Sequence, residues 1–266
     1  MQVIGLCRFS YLGDGGFQIE HQNLDERRAF LYDPVRLNER FRFFETFTLP
    51  SIRAQDDPDF VFIILISEDL PEPYVSRLMA QTEDMPQVVL MPWGPDQHRK
   101  VCKKAINLIR DDGAPSIQFL LDDDDAVAKD FVSRLKKDAK SVQPLLNANR
   151  HVAIDYNHGY FFAPSENGLH LRETRTNYLT MGLGLHFRAD CRLSVMNFTH
   201  NQVHHYMPTV TFSDSVMYLR GVNQFNDSMN EKQILKLQLE LADPETEAMI
   251  EDRFGLDVEK ICSVFS

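Results

Sequence analysis

The chain is short of positive charge: 28 Lys and Arg stand against 39 Asp and Glu, for a net charge of -11. A phosphate backbone is held by a broad cationic surface, so nucleic acid is not expected as a partner. Cysteine is scarce. Cys7, Cys102, Cys191 and Cys262 are scattered without a CxxC pair, which argues against a disulfide framework or a short-range metal site and for reduced, buried thiols. No apolar run approaches the ~20 residues of a membrane span, and residues 1–8 lack a basic stretch ahead of their apolar ones. A cytoplasmic protein is expected, with contact at the membrane periphery and the oligomeric state left open. Repeats, low-complexity tracts and clear linkers are also missing.

What is present suits a globular α/β protein: 266 residues, 43% of them hydrophobic. Residues 3–9 read as a short buried strand, followed by a glycine-rich turn at 12–16. Phe41, Phe44, Phe47 and Ile52 recur at roughly helical spacing over 37–54, where Pro50 is expected to interrupt or restart the helix. The run 60–66 is continuously apolar and rich in β-branched and aromatic residues, as in a strand covered on both faces. A helix over 71–82, a strand over 87–91 and a helix over 97–110 follow, the last with Val101, Ala105 and Leu108 facing inward. Such alternation predicts βαβ units and a central parallel sheet, with ligands beyond the carboxyl ends of its strands. Weaker signals place a strand or hairpin over 152–162, an apolar Gly-containing segment over 180–187 and a helix opening at Asp214. A mostly helical tail runs from Glu231, with a start at Asp243 and Pro244 and a stop at Gly255.

The most informative feature is the run Asp122, Asp123, Asp124 and Asp125 at the end of the apolar segment 117–121. Like charges about 4 Å apart repel by ~4 kcal/mol at an effective dielectric of about 20, so four carboxylates where a buried strand emerges call for a counter-charge. Mn²⁺ or Mg²⁺, shared between one or two carboxylates and the phosphates of a substrate, would supply it. An isolated acidic run is more often a solvated loop; the preceding strand and the βαβ context shift the reading toward a ligand site.

In three segments the chain resembles glycosyltransferases of the GT-A fold, and more narrowly the rhamnosyltransferase family found in bacteria. They are 48–55 with 60–66; Phe119-Leu-Leu-Asp-Asp-Asp-Asp-Ala126, at the family's Asp-x-Asp position; and Phe212-Ser-Asp-Ser-Val-Met-Tyr-Leu-Arg220. The resemblance implies a GT-A-like domain over 1–228, with a nucleotide-sugar half (1–125), an acceptor half (126–228) and a helical extension (229–266) packed on it. It implies a metal-dependent, inverting transfer of a sugar, rhamnose being the family's example, from a nucleotide-diphosphate donor to a carbohydrate or glycolipid hydroxyl. In those terms Asp124 is a metal ligand, Asp122 a metal or nucleotide contact, Asp123 a donor contact, and Asp214 the catalytic base. The residues of Asp214's own neighbourhood allow a plainer part, a helix N-cap.

Arg8, Phe9 and Ser10 at the first strand's end and Glu68 after the second are candidate donor contacts, against core packing for Phe9 and exposed loop charges for Arg8 and Glu68. Arg99, Lys103 and Asn107 share a helical face, Arg99 being the donor candidate. Asn223, Asn226, Asp227 and Ser228 form a polar loop that could close over donor or acceptor, or simply turn the chain. His200, His204 and His205 lack the glutamate of a zinc motif and read as ordinary polar or core histidines. The alternatives to a transferase are a GT-A-like protein that binds glycan or nucleotide without catalysis, and a nucleotidyltransferase. The latter is disfavoured because Gly13, Gly15 and Gly16 have no lysine beside them.

Overall fold

The structure, a computed structural model, describes residues 1–15, 21, 23–223 and 231–266. Strand β1 (Gln2–Arg8) leads through α1 (Leu24–Leu31) to α2 (Pro34–Phe43), a π-helical turn at Phe44–Thr48 and α3 (Leu49–Arg53). Next come β2 (Val61–Ser67), α4 (Glu72–Thr82), β3 (Val88–Trp93), α5 (His98–Ile109) and β4 (Ser116–Leu120). The chain continues through β5 (Ala126–Val127), α6 (Phe131–Ser141), α7 (Gln143–Ala148), β6 (His151–Tyr156), β7 (His158–Ser165) and β8 (Gly168–Arg175). It ends with β9 (Leu183–Phe187), β10 (Thr209–Phe212), β11 (Tyr218–Gly221), α8 (Glu231–Leu237), β12 (Glu240–Leu241), α9 (Pro244–Phe254) and α10 (Val258–Val264).

Seven strands form the central sheet in the order β10-β6-β9-β4-β1-β2-β3. Among the described strands β9 alone runs against the others there, pairing antiparallel with β4 and β6. Both faces of this sheet are covered, by one apolar cluster containing Phe62, Phe119 and Ile154 and another containing Leu6, Ile63 and Leu185. That is why β2 is apolar without alternation. The mostly parallel α/β sheet flanked by helices expected from the sequence is the one observed.

A second, smaller sheet has the order β12-β8-β7-β11-β5. The chain leaves the central sheet at β4, passes through the four aspartates and enters the second sheet at once as β5, antiparallel to β11. The aspartate turn is therefore the junction of the two sheets. Gly221 on β11 packs against it so closely that a Cβ there would lie 2.3 Å from the Asp124 carbonyl oxygen. The C-terminal helices close the far side: Ile250, Phe254 and Ile261 are fully buried, and Phe265 packs its ring 5.2 Å from that of Phe43.

Pro50 stands in the first turn of α3, where α winding restarts as expected, although residues 34–53 are helical throughout; the wider π register just ahead of it absorbs its missing N–H and its ring. Two expectations are corrected. Leu108 is 67% exposed, because the buried stripe of α5 is Val101, Cys102, Ala105 and Ile106, which leaves Leu108 at its edge. No helix opens at Asp214: residues 218–221 pair with β7 and β5 instead, non-local sheet bonds overriding the local signal. The tail reads as expected at α9, capped by Asp243 accepting from the Thr246 N–H at 2.7 Å and ended by Gly255 at φ 64°. Among the described residues no helix is long and apolar enough to cross a membrane.

Candidate active site

A cleft of about 790 Å³ opens over the C-terminal ends of β1 and β4. Its lining includes Arg8, Arg36, Arg40, Arg99 and Arg220, facing Asp122, Asp123 and Asp124. A protein of net charge -11 thus concentrates five guanidinium groups in one concavity, and arginine is the side chain best shaped to fork onto phosphate.

The aspartates form a turn closed by the Asp125 N–H donating to the Asp122 carbonyl at 3.2 Å, and the turn sends each carboxylate to a different environment. Asp122 keeps 48% of its side chain exposed, with Arg8 3.7 Å away. Asp123 is buried against Arg40, whose Nε donates to it at 2.8 Å. Asp124, also buried, accepts from Arg40 at 3.3 Å and from Asn223 Nδ2 at 2.8 Å. Asp125 points away from the cleft and accepts from the Gly221 N–H at 2.9 Å. Burial pushes the Asp124 carboxyl up, against the opposing pull of Arg40, and pushes that of Asp125 well up, with the charges of Asp124 and Asp122 adding to it. Much of the counter-charge that the sequence demands therefore comes from Arg40, which α2 carries to the turn. Thr48, on the π turn, anchors the same turn by donating to the Asp125 carbonyl at 2.7 Å.

The other expected residues divide. Arg8, Ser10 and Arg99 line the cleft with Asp122, Asp123 and Asp124. Ser10 holds a left-handed backbone, φ 46°, and accepts from Arg36 at 3.2 Å. Phe9 belongs to the core, fully buried edge-on to Phe41 at 4.7 Å. Glu68 is exposed beside Gly94 and is not part of the lining. Lys103 and Asn107 line a separate shallow depression with Arg99. Asp214 does not reach the cleft: 60% exposed, it accepts two bonds of 3.1 Å from Arg134, which hold its carboxyl below the usual range. Asn226 and Ser228 lie outside the described residues.

Sequence reasoning did not single out Arg36, Arg40, His98 or Arg220, and it discounted His200; all five line the cleft. His98 is pushed down to about 4 by burial and by the charges of Arg8 and Arg99, so it is neutral at pH 7. His200 opens a 3₁₀ segment, His200–His205, in which an i, i+4 pair does not stack as it would on an α-helix. Its Nδ1 lies 2.6 Å from the Tyr178 carbonyl oxygen, while His204 stacks on the Tyr178 ring at 5.0 Å. Among the described residues no group of three or more His, Cys, Asp or Glu side chains is arranged to hold a metal ion.

An arginine-lined cleft at the carboxyl ends of a mostly parallel sheet, with an acidic turn at its floor, is the arrangement expected of a glycosyltransferase. The family model described as "Putative rhamnosyl transferase" matches residues 2–234, and the chain belongs to that family. No curated protein matches the sequence. The solved structures it is similar to include S. aureus TarS 1-349 in complex with UDP-GlcNAc (TM-score 0.47, 11% identity, covering 90% of this chain and 68% of that one). They also include S. aureus TarS 1-349 without that description (TM-score 0.45, 9% identity, 83% and 60%) and S. aureus TarS (TM-score 0.44, 11% identity, 84% and 37%). The chain thus spans well under two thirds of that longer TarS chain, and likeness at this level does not extend to substrate.

Proposed function

We propose that the chain transfers a hexose, with rhamnose first in line from its family, from a nucleotide-diphosphate donor to a carbohydrate or glycolipid hydroxyl, inverting the anomeric centre. The observation that carries this reading is the set of five cleft arginines facing Asp122 and Asp124. Arg8, Arg40 and Arg99 would bind and orient the diphosphate and take up charge as it departs. Ser10, held in its unusual backbone by the end of β1, would meet the nucleoside side of the donor.

Mn²⁺ or Mg²⁺ fits the residues present. Asp122 and Asp124 are hard oxygen donors on one cleft, and Asp124 carries a burial penalty that a cation would relieve. The two would hold the ion with the diphosphate and water completing its shell, and the ion would neutralise charge on the leaving group.

The test is calorimetric titration with UDP, GDP and dTDP, with and without Mn²⁺, followed by a screen of their sugar conjugates for slow hydrolysis. Binding strengthened by Mn²⁺ and lost in Asp122→Asn and Asp124→Ala is expected, with release of diphosphate from one conjugate. Binding indifferent to Mn²⁺ would remove the metal from the mechanism. Tight binding without any turnover would favour a non-catalytic, nucleotide-holding role.

A further inference from the structure

An inverting transfer needs a group that takes the acceptor's proton within hydrogen-bond reach of the reacting oxygen. Asp214, paired with Arg134 outside the cleft, does not meet that requirement. His200 is exposed and lines the same cleft as Asp122, Asp124 and the arginines, which makes it available to a substrate bound there.

The protonation pattern of His200 follows from its partner. A carbonyl oxygen only accepts, so the 2.6 Å contact between His200 Nδ1 and the Tyr178 carbonyl requires the ring proton on Nδ1. In the neutral ring Nε2, on the opposite edge, then carries the free lone pair.

The carbonyl that imposes this pattern is itself held. Tyr178 sits in the left-handed region at φ 63°, which strains a residue with a side chain and persists only where neighbours enforce it. The neighbours are visible. The Tyr178 N–H donates to Asp155 Oδ1 at 2.9 Å, and Asp155 Oδ2 accepts from Thr211 at 3.0 Å. On the other side the Tyr178 ring is stacked on His204. Of the three described non-glycine residues with positive φ, Ser10 lines the cleft and Tyr178 supports a cleft residue.

We infer that His200 is the proton acceptor of the transfer, oriented by the Tyr178 carbonyl. The inference rests on the transferase reading above. The acceptor O–H bond breaks and its proton goes to His200 Nε2. The freed oxygen pair forms the new bond to the anomeric carbon. The bond from that carbon to the diphosphate breaks, and its electron pair leaves on the diphosphate oxygen. The Nδ1 proton stays on the ring, donated to the Tyr178 carbonyl throughout.

The test has two arms on the full chain. In ¹⁵N-labelled protein, with the His200 signals assigned by their loss in His200→Gln, the Nδ1–H tautomer is expected; an Nε2–H tautomer would overturn the inference. In the kinetic arm, release of nucleoside diphosphate from UDP-, GDP- and dTDP-linked sugars should fall by roughly 10²–10⁴-fold in His200→Ala. Binding of the nucleoside diphosphate should stay unchanged, and added imidazole should restore part of the rate. Wild-type turnover in His200→Ala, or a loss shared by diphosphate binding and not rescued by imidazole, overturns the role of His200 alone. A wild-type chain that binds diphosphate and turns over none of the sugars overturns the transferase reading itself, and the role with it.

Discussion

The central sheet ends in two buried acidic sites that solve the same problem differently. At the β4 end, Asp123 and Asp124 are crowded together and share one guanidinium, that of Arg40. At the β6 end, Asp155 is fully buried, and among the described residues the donors it meets are neutral, the Tyr178 N–H and the Thr211 hydroxyl. Hydrogen bonds from neutral groups offset desolvation only in part, so burial pushes the Asp155 carboxyl up to about 6. At the aspartate turn a guanidinium supplies the compensation. A carboxylate meant to hold a backbone in place manages with dipoles.

Removing Arg40 should break that contrast most severely. Arg40→Met leaves two buried carboxylates without their partner, a loss of about 3–5 kcal/mol and a fall in melting temperature on the order of 10 °C. Adding Asp123→Asn to that variant should recover part of the loss, measured by thermal denaturation. If Arg40→Met melts with the wild type, the guanidinium is not what holds the turn.

The second effect depends on pH. Asp155 binds its proton more tightly folded than unfolded, so its contribution is fully present below about pH 4 and is lost as pH rises to about 6. The rise to about 6 corresponds to about 3 kcal/mol. Asp155→Asn should flatten the stability profile between those pH values by that amount in urea denaturation; an unchanged slope would mean the carboxyl titrates normally.

The smallest effect is expected at Asp214. Its exposed pairing with Arg134 is worth at most about 1 kcal/mol, so Asp214→Asn should alter stability little and leave donor turnover unchanged. Lost turnover with intact diphosphate binding would restore Asp214 as the base.

Much of the fold and the floor of the site were legible because they are written locally. The apolar runs 60–66 and 117–121 carry the buried strands, and the aspartates directly follow the second of them. What escaped was written across distance. Arg40 lies 83 positions before Asp123, and no spacing rule links an arginine on a phenylalanine-rich helix to an acidic turn. The i, i+4 spacing of His200 and His204 suggests an α-helical pair, and the tighter 3₁₀ turn removes that geometry. The helix expected to open at Asp214 fails for a related reason: the segment after it finds partners in β7 and β5, which propensity does not see.

The π turn at Phe44–Thr48 also sets how the chain tolerates changes of length. It accommodates one residue more than an α-helical turn, and each residue of an α-helix advances the face by about 100°. Losing a single residue inside the π turn would therefore restore ordinary winding and leave the flanking helices on their present faces, so Arg40 would still reach the aspartate turn. A deletion within the preceding helix has no such slack and would rotate Arg40 by about 100° away from its target. The π turn is thus the one place in this helix where the chain can lose a residue without losing its aim.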